Sequence, residues 1–181
     1  MRMFVAVWPD DGMLQRLSLL DLGRAPGLRL VRPDQWHVTL RFLGEVDEDM
    51  VPPLVTALRG AAAQFESPVV CKVGPATRWF SNGRVLKLPV SGLAALAEAV
   101  RGATEAVVPD ATPAETRFIG HLTLARAARQ SHAAARLGVS GLPFSASLRA
   151  DCFDLVASEK TAQGQTYATR ARFVLGQPAE S

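Results

Sequence analysis

The sequence predicts an α+β fold, and three observations carry that prediction. Short β-prone runs alternate with amphipathic helical stretches, glycine and proline punctuate them, and one strand-like tetrapeptide, His37-Val38-Thr39-Leu40, returns as His121-Leu122-Thr123-Leu124. With 181 residues, 48% hydrophobic and 20% charged, the chain can bury a substantial core. One globular domain over residues 1–181, built of two related halves, is expected.

The elements follow in order. Met3 to Trp8 reads as a strand, and Pro9-Asp10-Asp11 starts a helix carrying Met13, Leu17 and Leu20 at helical spacing. After the Gly23–Gly27 segment, Leu28 to Val31 and Trp36 to Leu43 read as strands, the second ended by Gly44. Asp47-Glu48-Asp49 precedes a helix with Val51, Leu54, Val55, Leu58 and Ala62 on one face. Val69–Val73 and Arg84–Val90 are expected strands, with Ser81-Asn82-Gly83 a turn, and Leu93–Val108 a helix. Beyond the loop 109–115 come a β-like run from Phe118 to Ala125 and a helix near His132. Ser145–Val156 and Tyr167–Val174 then read as a hairpin with Ala162-Gln163-Gly164-Gln165 near its turn.

Charge and cysteine content narrow the function classes. Twenty Lys and Arg against seventeen Asp and Glu give a net charge of +3, which suits a phosphate-bearing partner without a basic tail. Cys71 and Cys152 form no CxxC pair and read as buried small apolar residues. The N-terminal apolar run is shorter than a signal sequence or a membrane span, so a cytoplasmic protein without membrane contact, monomeric by default, is expected. No P-loop, GxGxxG or GxSxG sequence is present, which leaves no cofactor site and no serine-hydrolase elbow to propose.

The echoed tetrapeptide carries the chemistry. On a strand, His37 and Thr39 share one face roughly 7 Å apart while Val38 and Leu40 point the other way, and the second copy repeats this. Each copy therefore anchors an apolar face in a core and presents an imidazole and a hydroxyl, and two copies make the walls of a cleft. The 84-residue offset is close to half the chain and suggests a duplication. A single His is more often structural than catalytic, and the repeat reverses that expectation; His132, which has no echo, reads as a surface residue. Imidazole titrates near pH 6.5, so one copy can act as base while the other acts as acid in an in-line phosphoryl displacement, with the threonine hydroxyls on the nonbridging oxygens. A catalytic zinc would want a third protein ligand, and none repeats with the motif.

The paired H-x-T-x motifs resemble those of the 2H phosphoesterase superfamily. The strings Met3-Phe-Val-Ala-Val-Trp-Pro9, Trp36-His-Val-Thr-Leu-Arg-Phe-Leu-Gly-Glu45, Gly83-Arg-Val-Leu-Lys-Leu88 and Phe118-Ile-Gly-His-Leu-Thr-Leu-Ala-Arg126 resemble its bacterial RNA 2′,3′-cyclic phosphodiesterases, also called 2′-5′ RNA ligases. The resemblance implies a bilobal fold of two pseudo-symmetric antiparallel sheets, flanked by helices, about a central cleft. It implies metal-free opening of an RNA 2′,3′-cyclic phosphate to a 2′-phosphate, 2′-5′ ligation in some members, His37 as general acid and His121 as general base, although the near-symmetric motifs allow the reverse. Nucleoside 2′,3′-cyclic phosphates, small cyclic nucleotides and an ADP-ribose cyclic phosphate would suit the same side chains, and a binding module without turnover is the alternative outside enzymes.

Three further residues are substrate-binding candidates. Arg126 stands where the family carries a phosphate-binding arginine, but regular alternation keeps it off the His121 face, so the strand must end, bulge or twist before it. Arg41 has the parity to share the face of His37. Phe80, or its neighbour Trp79, could stack on a terminal base. The family commonly has Pro before the second motif's histidine; this chain has Gly120, which leaves the approach less restricted.

Overall fold

Ten strands and three α-helices make up the described part of the chain, residues 1–23, 27–109, 117–127, 138–162 and 164–177 of a computed structural model. Strand β1 (Arg2–Val7) leads to α1 (Asp11–Ser18), whose start is capped by Asp10, its Oδ1 accepting from the Met13 N–H at 2.7 Å. β2 (Leu28–Leu30) and β3 (Val38–Glu45) follow, and then a 3-10 turn and α2 (Val51–Ala62). β4 (Val69–Val73), the two-residue β5 (Arg78–Trp79), β6 (Val85–Ser91) and α3 (Ala94–Glu105) complete the middle. The last part comprises β7 (His121–Ala127), β8 (Ala146–Ala150), β9 (Cys152–Thr161) and β10 (Gly164–Val174).

The strands run antiparallel in the order β10-β9-β1-β3-β7-β6-β4-β8, with β2 paired to β7 and β5 to β6. This order divides at its middle into two four-strand halves, each led by one copy of the echoed motif. The halves interleave, since β4 follows β3 in sequence but lies in the other half, and β9 crosses back to pair with β1. The two halves form one continuous sheet rather than two separate ones and meet along β3 and β7, where Val38 opposite Leu122 is the pair in register.

The core follows from alternation. Met3, Val5 and Val7 of β1, Val38 of β3, Leu86 and Leu88 of β6 and Leu122 and Leu124 of β7 are buried against Leu54 and Leu58 of α2 and Leu96 and Val100 of α3. The opposite face of β1 is also covered, with Phe4 and Ala6 joining Val156 in a second, smaller cluster flanked by Trp8 and Tyr167.

Several expectations change. The apparent strand Ser145–Val156 is two strands separated at Asp151, and they go to different halves: β8 pairs with β4 at one edge while β9 pairs with β1. The hairpin is therefore β9 with β10, with Gly164 opposite Thr161 at its end. The crossing is set by long-range pairing: Leu148 and Ala150 of β8 are buried in alternation, whereas Phe153 to Ala157 of β9 are buried without a break. Cys71 is buried, with its thiol pushed up to about 11 by burial, whereas Cys152 is only partly buried, and both are free. The helix near His132 lies outside the described residues. No helix among the described residues is long and apolar enough to cross a membrane.

Candidate active site

A cavity of about 730 Å³ opens where the two halves meet, and His37, Thr39, His121 and Thr123 all line it. Their convergence follows from the seam. Because Val38 pairs with Leu122, the equivalent residue of the other copy, a local pseudo-twofold passes between them. Extended by one residue either way, that register sets His37 across from Thr123 and Thr39 across from His121, and all four line the cavity.

Both imidazoles are pinned in the same way. The Nδ1 of His37 lies 2.7 Å from the Gln35 carbonyl oxygen, and that of His121 lies 2.8 Å from the Ile119 carbonyl oxygen. A carbonyl only accepts, so each Nδ1 carries the proton and each Nε2 is left for the substrate. Burial is the largest influence on both and depresses their pKa; the backbone hydrogen bonds oppose it. The Arg126 guanidinium pushes both further down, as does His121 on His37 and Lys87 on His121.

Their surroundings differ. His37 sits among Phe4, Trp8 and Tyr167, with ring centroids 5.0, 5.3 and 5.3 Å away, the Tyr167 ring nearly perpendicular. His121 has Phe80 against it, edge to face at 4.8 Å, and the Lys87 ammonium lies 3.6 Å from the Phe80 ring centre. One wall is thus aromatic and the other carries a cation.

A matched pair of β-bulges decides which arginine reaches the cleft. On β3, Thr39 opposes Ala6 and Arg41 opposes Val5, so Leu40 is the extra residue; on β7, Thr123 opposes Lys87 and Ala125 opposes Leu86, so Leu124 is extra. The bulges occupy equivalent positions, and both strands show two consecutive buried residues there, Leu40-Arg41 and Leu124-Ala125. After each bulge the parity inverts. Arg126 thereby comes onto the face of His121 and Thr123 and lines the cavity.

The same device corrects the expectation for Arg41. It is only 7% exposed and does not line the cavity that holds both histidines; it donates from Nη1 to the Arg101 carbonyl and, at 3.0 Å, to Thr104 Oγ1 near the end of α3, and borders the adjoining cavity that His121 also lines. The cleft position it was assigned belongs to Phe42, which is 53% exposed and lines the cavity. Phe80 is partly exposed beside the second histidine. With His121 and Lys87 packed on its ring, it buttresses the second histidine and borders an adjoining cavity that Thr39, Phe42 and His121 share. Trp79 packs against the main core.

Gly120 is fixed by its neighbours. A Cβ there would lie 2.3 Å from the Val90 carbonyl oxygen, and the Val90 N–H donates to the Gly120 carbonyl at 2.9 Å. The approach to His121 is therefore held by backbone contact with β6, and the absence of a side chain is what allows it. Tyr167, Phe42 and Arg29 also line the cleft and were not singled out from the sequence. Tyr167 is the chain's single tyrosine, and its place beside His37 depends on the β9–β10 pairing that alternation does not show.

Comparison with known proteins agrees with this construction. Residues 14–72 match the family described as LigT like phosphoesterase. A stretch of 51 residues is 43% identical to the RNA 2′,3′-cyclic phosphodiesterase of Archaeoglobus fulgidus, covering 27% of this chain and 29% of that protein. The structure of TT0787 of Thermus thermophilus superposes with a TM-score of 0.84 at 28% identity, over 97% of this chain and 98% of that one. Escherichia coli LigT in its apo form gives 0.72 at 22% identity over the same shares, a likeness of fold. The family match spans the first motif alone, and the structural likeness spans both halves of the chain.

Proposed function

We propose that the protein opens 2′,3′-cyclic phosphates at RNA ends, or on nucleosides, to 2′-phosphates by acid-base catalysis between His121 and His37, without a metal. The observation that supports this most is the equivalent pinning of two imidazoles across one cleft, each donating Nδ1–H to the carbonyl two residues before it. Such a pair offers two Nε2 atoms of fixed orientation, one for each proton that must move.

In the proposed step, His121 Nε2 accepts a proton from water as the water oxygen forms a bond to phosphorus. The bond from phosphorus to the 3′ oxygen breaks, and His37 Nε2–H delivers a proton to that oxygen. One water is consumed, a 3′-hydroxyl and a 2′-phosphate result, and solvent exchange returns the two histidines to their starting states. Lys87 disfavours the protonated form of His121, which suits a base, and the rings of Phe4 and Tyr167 around His37 suit an imidazolium. In this reading Thr39, Thr123 and Arg126, which line the same cavity, hold the nonbridging oxygens. A 5′-hydroxyl of another RNA in place of water would give a 2′-5′ linkage through the same leaving oxygen.

The test is to offer a nucleoside 2′,3′-cyclic phosphate and an RNA ending in one, with EDTA present, and to identify the product by 31P NMR. A 2′-phosphate is expected from both. No product from either, or activity abolished by EDTA, would overturn the reading.

A further inference from the structure

The cleft contains a pairing that the His-Thr chemistry does not use. β2 lies against β7 in a register that places Arg29 directly opposite Arg126, with Leu28 opposite Ala127 and Leu30 opposite Ala125. Both arginines are exposed and line the cavity. Like charges facing one another across an antiparallel pair, with Cα atoms roughly 5 Å apart, destabilise it. The described lining residues add Arg2 and Arg32 and contain no carboxylate to offset them; Arg32 is already engaged by Asp34 at 2.6 Å. The pairing becomes favourable when the site holds anions.

The two arginines address different parts of the cleft. The charge of Arg126 acts on both catalytic histidines and on Tyr167, whereas that of Arg29 acts on Tyr167. Arg126 therefore borders the reacting centre, and Arg29 lies outward of it, toward the wall formed by Gln165, Thr166 and Tyr167 of β10. A planar guanidinium at that outer position suits a tetrahedral oxyanion other than the one that reacts.

We propose that Arg29 forms an outer anion subsite that holds a second phosphate group of the substrate, attached to the 5′ oxygen of the nucleotide whose cyclic phosphate reacts. This rests on reading the cleft as a cyclic-phosphate site. It makes the enzyme favour substrates with two phosphates over a bare nucleoside cyclic phosphate. The second phosphate can be a chain phosphodiester or a terminal monoester.

Binding of product-like ligands tests this independently of turnover. Adenosine 2′-monophosphate, adenosine 2′,5′-bisphosphate and an adenylyl dinucleotide ending in a 2′-phosphate are titrated calorimetrically into the native protein, Arg29→Ala and Arg29→Lys, each first shown to be folded by its thermal midpoint. The native protein should bind at least one two-phosphate ligand about tenfold tighter than the monophosphate. Arg29→Ala should reduce that preference below about twofold, and Arg29→Lys should leave an intermediate value, because an ammonium replaces the fork by a point charge. A gain with the dinucleotide identifies a chain phosphate, and a gain confined to the bisphosphate identifies a monoester. The proposal is overturned if the native protein shows no preference or no binding, or if the preference survives Arg29→Ala. A preference behaving as expected in a protein that opens no cyclic phosphate would remove the proposed reaction and leave the subsite standing.

Discussion

Val38 and Leu122 face each other across the seam between β3 and β7, and both are fully buried. They are the equivalent residues of the two motif copies, so this contact fixes how far apart the two imidazoles stand. The histidines depend on it without touching it.

Truncating Leu122 to Ala should therefore do two things. Stability should fall by about 2 to 5 kcal/mol, the usual range for a buried leucine, and kcat/KM should fall further than the loss of folded protein accounts for. Urea unfolding alongside kinetics at a temperature where the variant is folded separates the two. Full activity per folded molecule would show that the seam does not set the catalytic geometry.

The paired bulges predict opposite behaviour for the two arginines. Arg126→Ala should lower kcat/KM by a factor on the order of 10² to 10³, as for loss of a group that stabilises transition-state charge, with stability changed by less than about 0.5 kcal/mol. Arg41→Ala should cost about 1 to 3 kcal/mol of stability, because the Arg101 carbonyl and Thr104 lose a buried donor. Kinetic constants and chemical denaturation of both variants provide the check, and the reverse pattern would contradict the bulge assignment.

Gly120→Ala should be poorly tolerated. The 2.3 Å approach of a Cβ to the Val90 carbonyl oxygen forces β6 and β7 apart, at about 1 to 3 kcal/mol by analogy with overpacked sites. Since the shift falls next to His121, activity should drop as well. A thermal midpoint and a kcat indistinguishable from the native protein would refute the contact.

Both histidines are held below the ordinary value of 6.5, chiefly by burial. The proposed acid-base pair needs one imidazole protonated and one neutral, so kcat/KM should peak on the acid side of 6.5 and fall roughly tenfold per pH unit well above it as the acid is lost. A bound phosphate anion favours the imidazolium, so the alkaline limb of kcat should lie at higher pH than that of kcat/KM. Stability follows the same shifts with its own sign. The folded state binds fewer protons than the unfolded one, so this contribution is present above pH 6.5 and is lost as pH falls toward the depressed values. Replacing both histidines with Asn should flatten that acid-side loss in a pH series of unfolding midpoints.

The sequence told much of this and missed the rest for physical reasons. The echo of His37-x-Thr39 and His121-x-Thr123 is local, and strand alternation is enough to put both residues of each copy on one face. That the strand must end, bulge or twist before Arg126 is also legible, because the arginine otherwise has the wrong parity. That the first copy carries the same bulge was not. It depends on the pairing of β3 with β1, and it moves Arg41 into the interior and Phe42 onto the cleft. The crossing at Asp151 that sends β8 and β9 to different halves is likewise a matter of long-range pairing. Tyr167 and Arg29 reach the cleft only through such pairings, β10 on β9 and β2 on β7.

The central claim is that two histidines, and no third group, move the protons. Its most direct test is the rate of ring opening of a nucleoside 2′,3′-cyclic phosphate by His37→Ala, His121→Ala and the double variant, in EDTA, with each protein shown folded by circular dichroism. Each single variant should lose activity by a factor on the order of 10² to 10⁴, the range for removal of a general acid or base. The double variant should lose little more than the worse of the two, since they act as a unit. A folded single variant that turns over at the native rate would contradict the account.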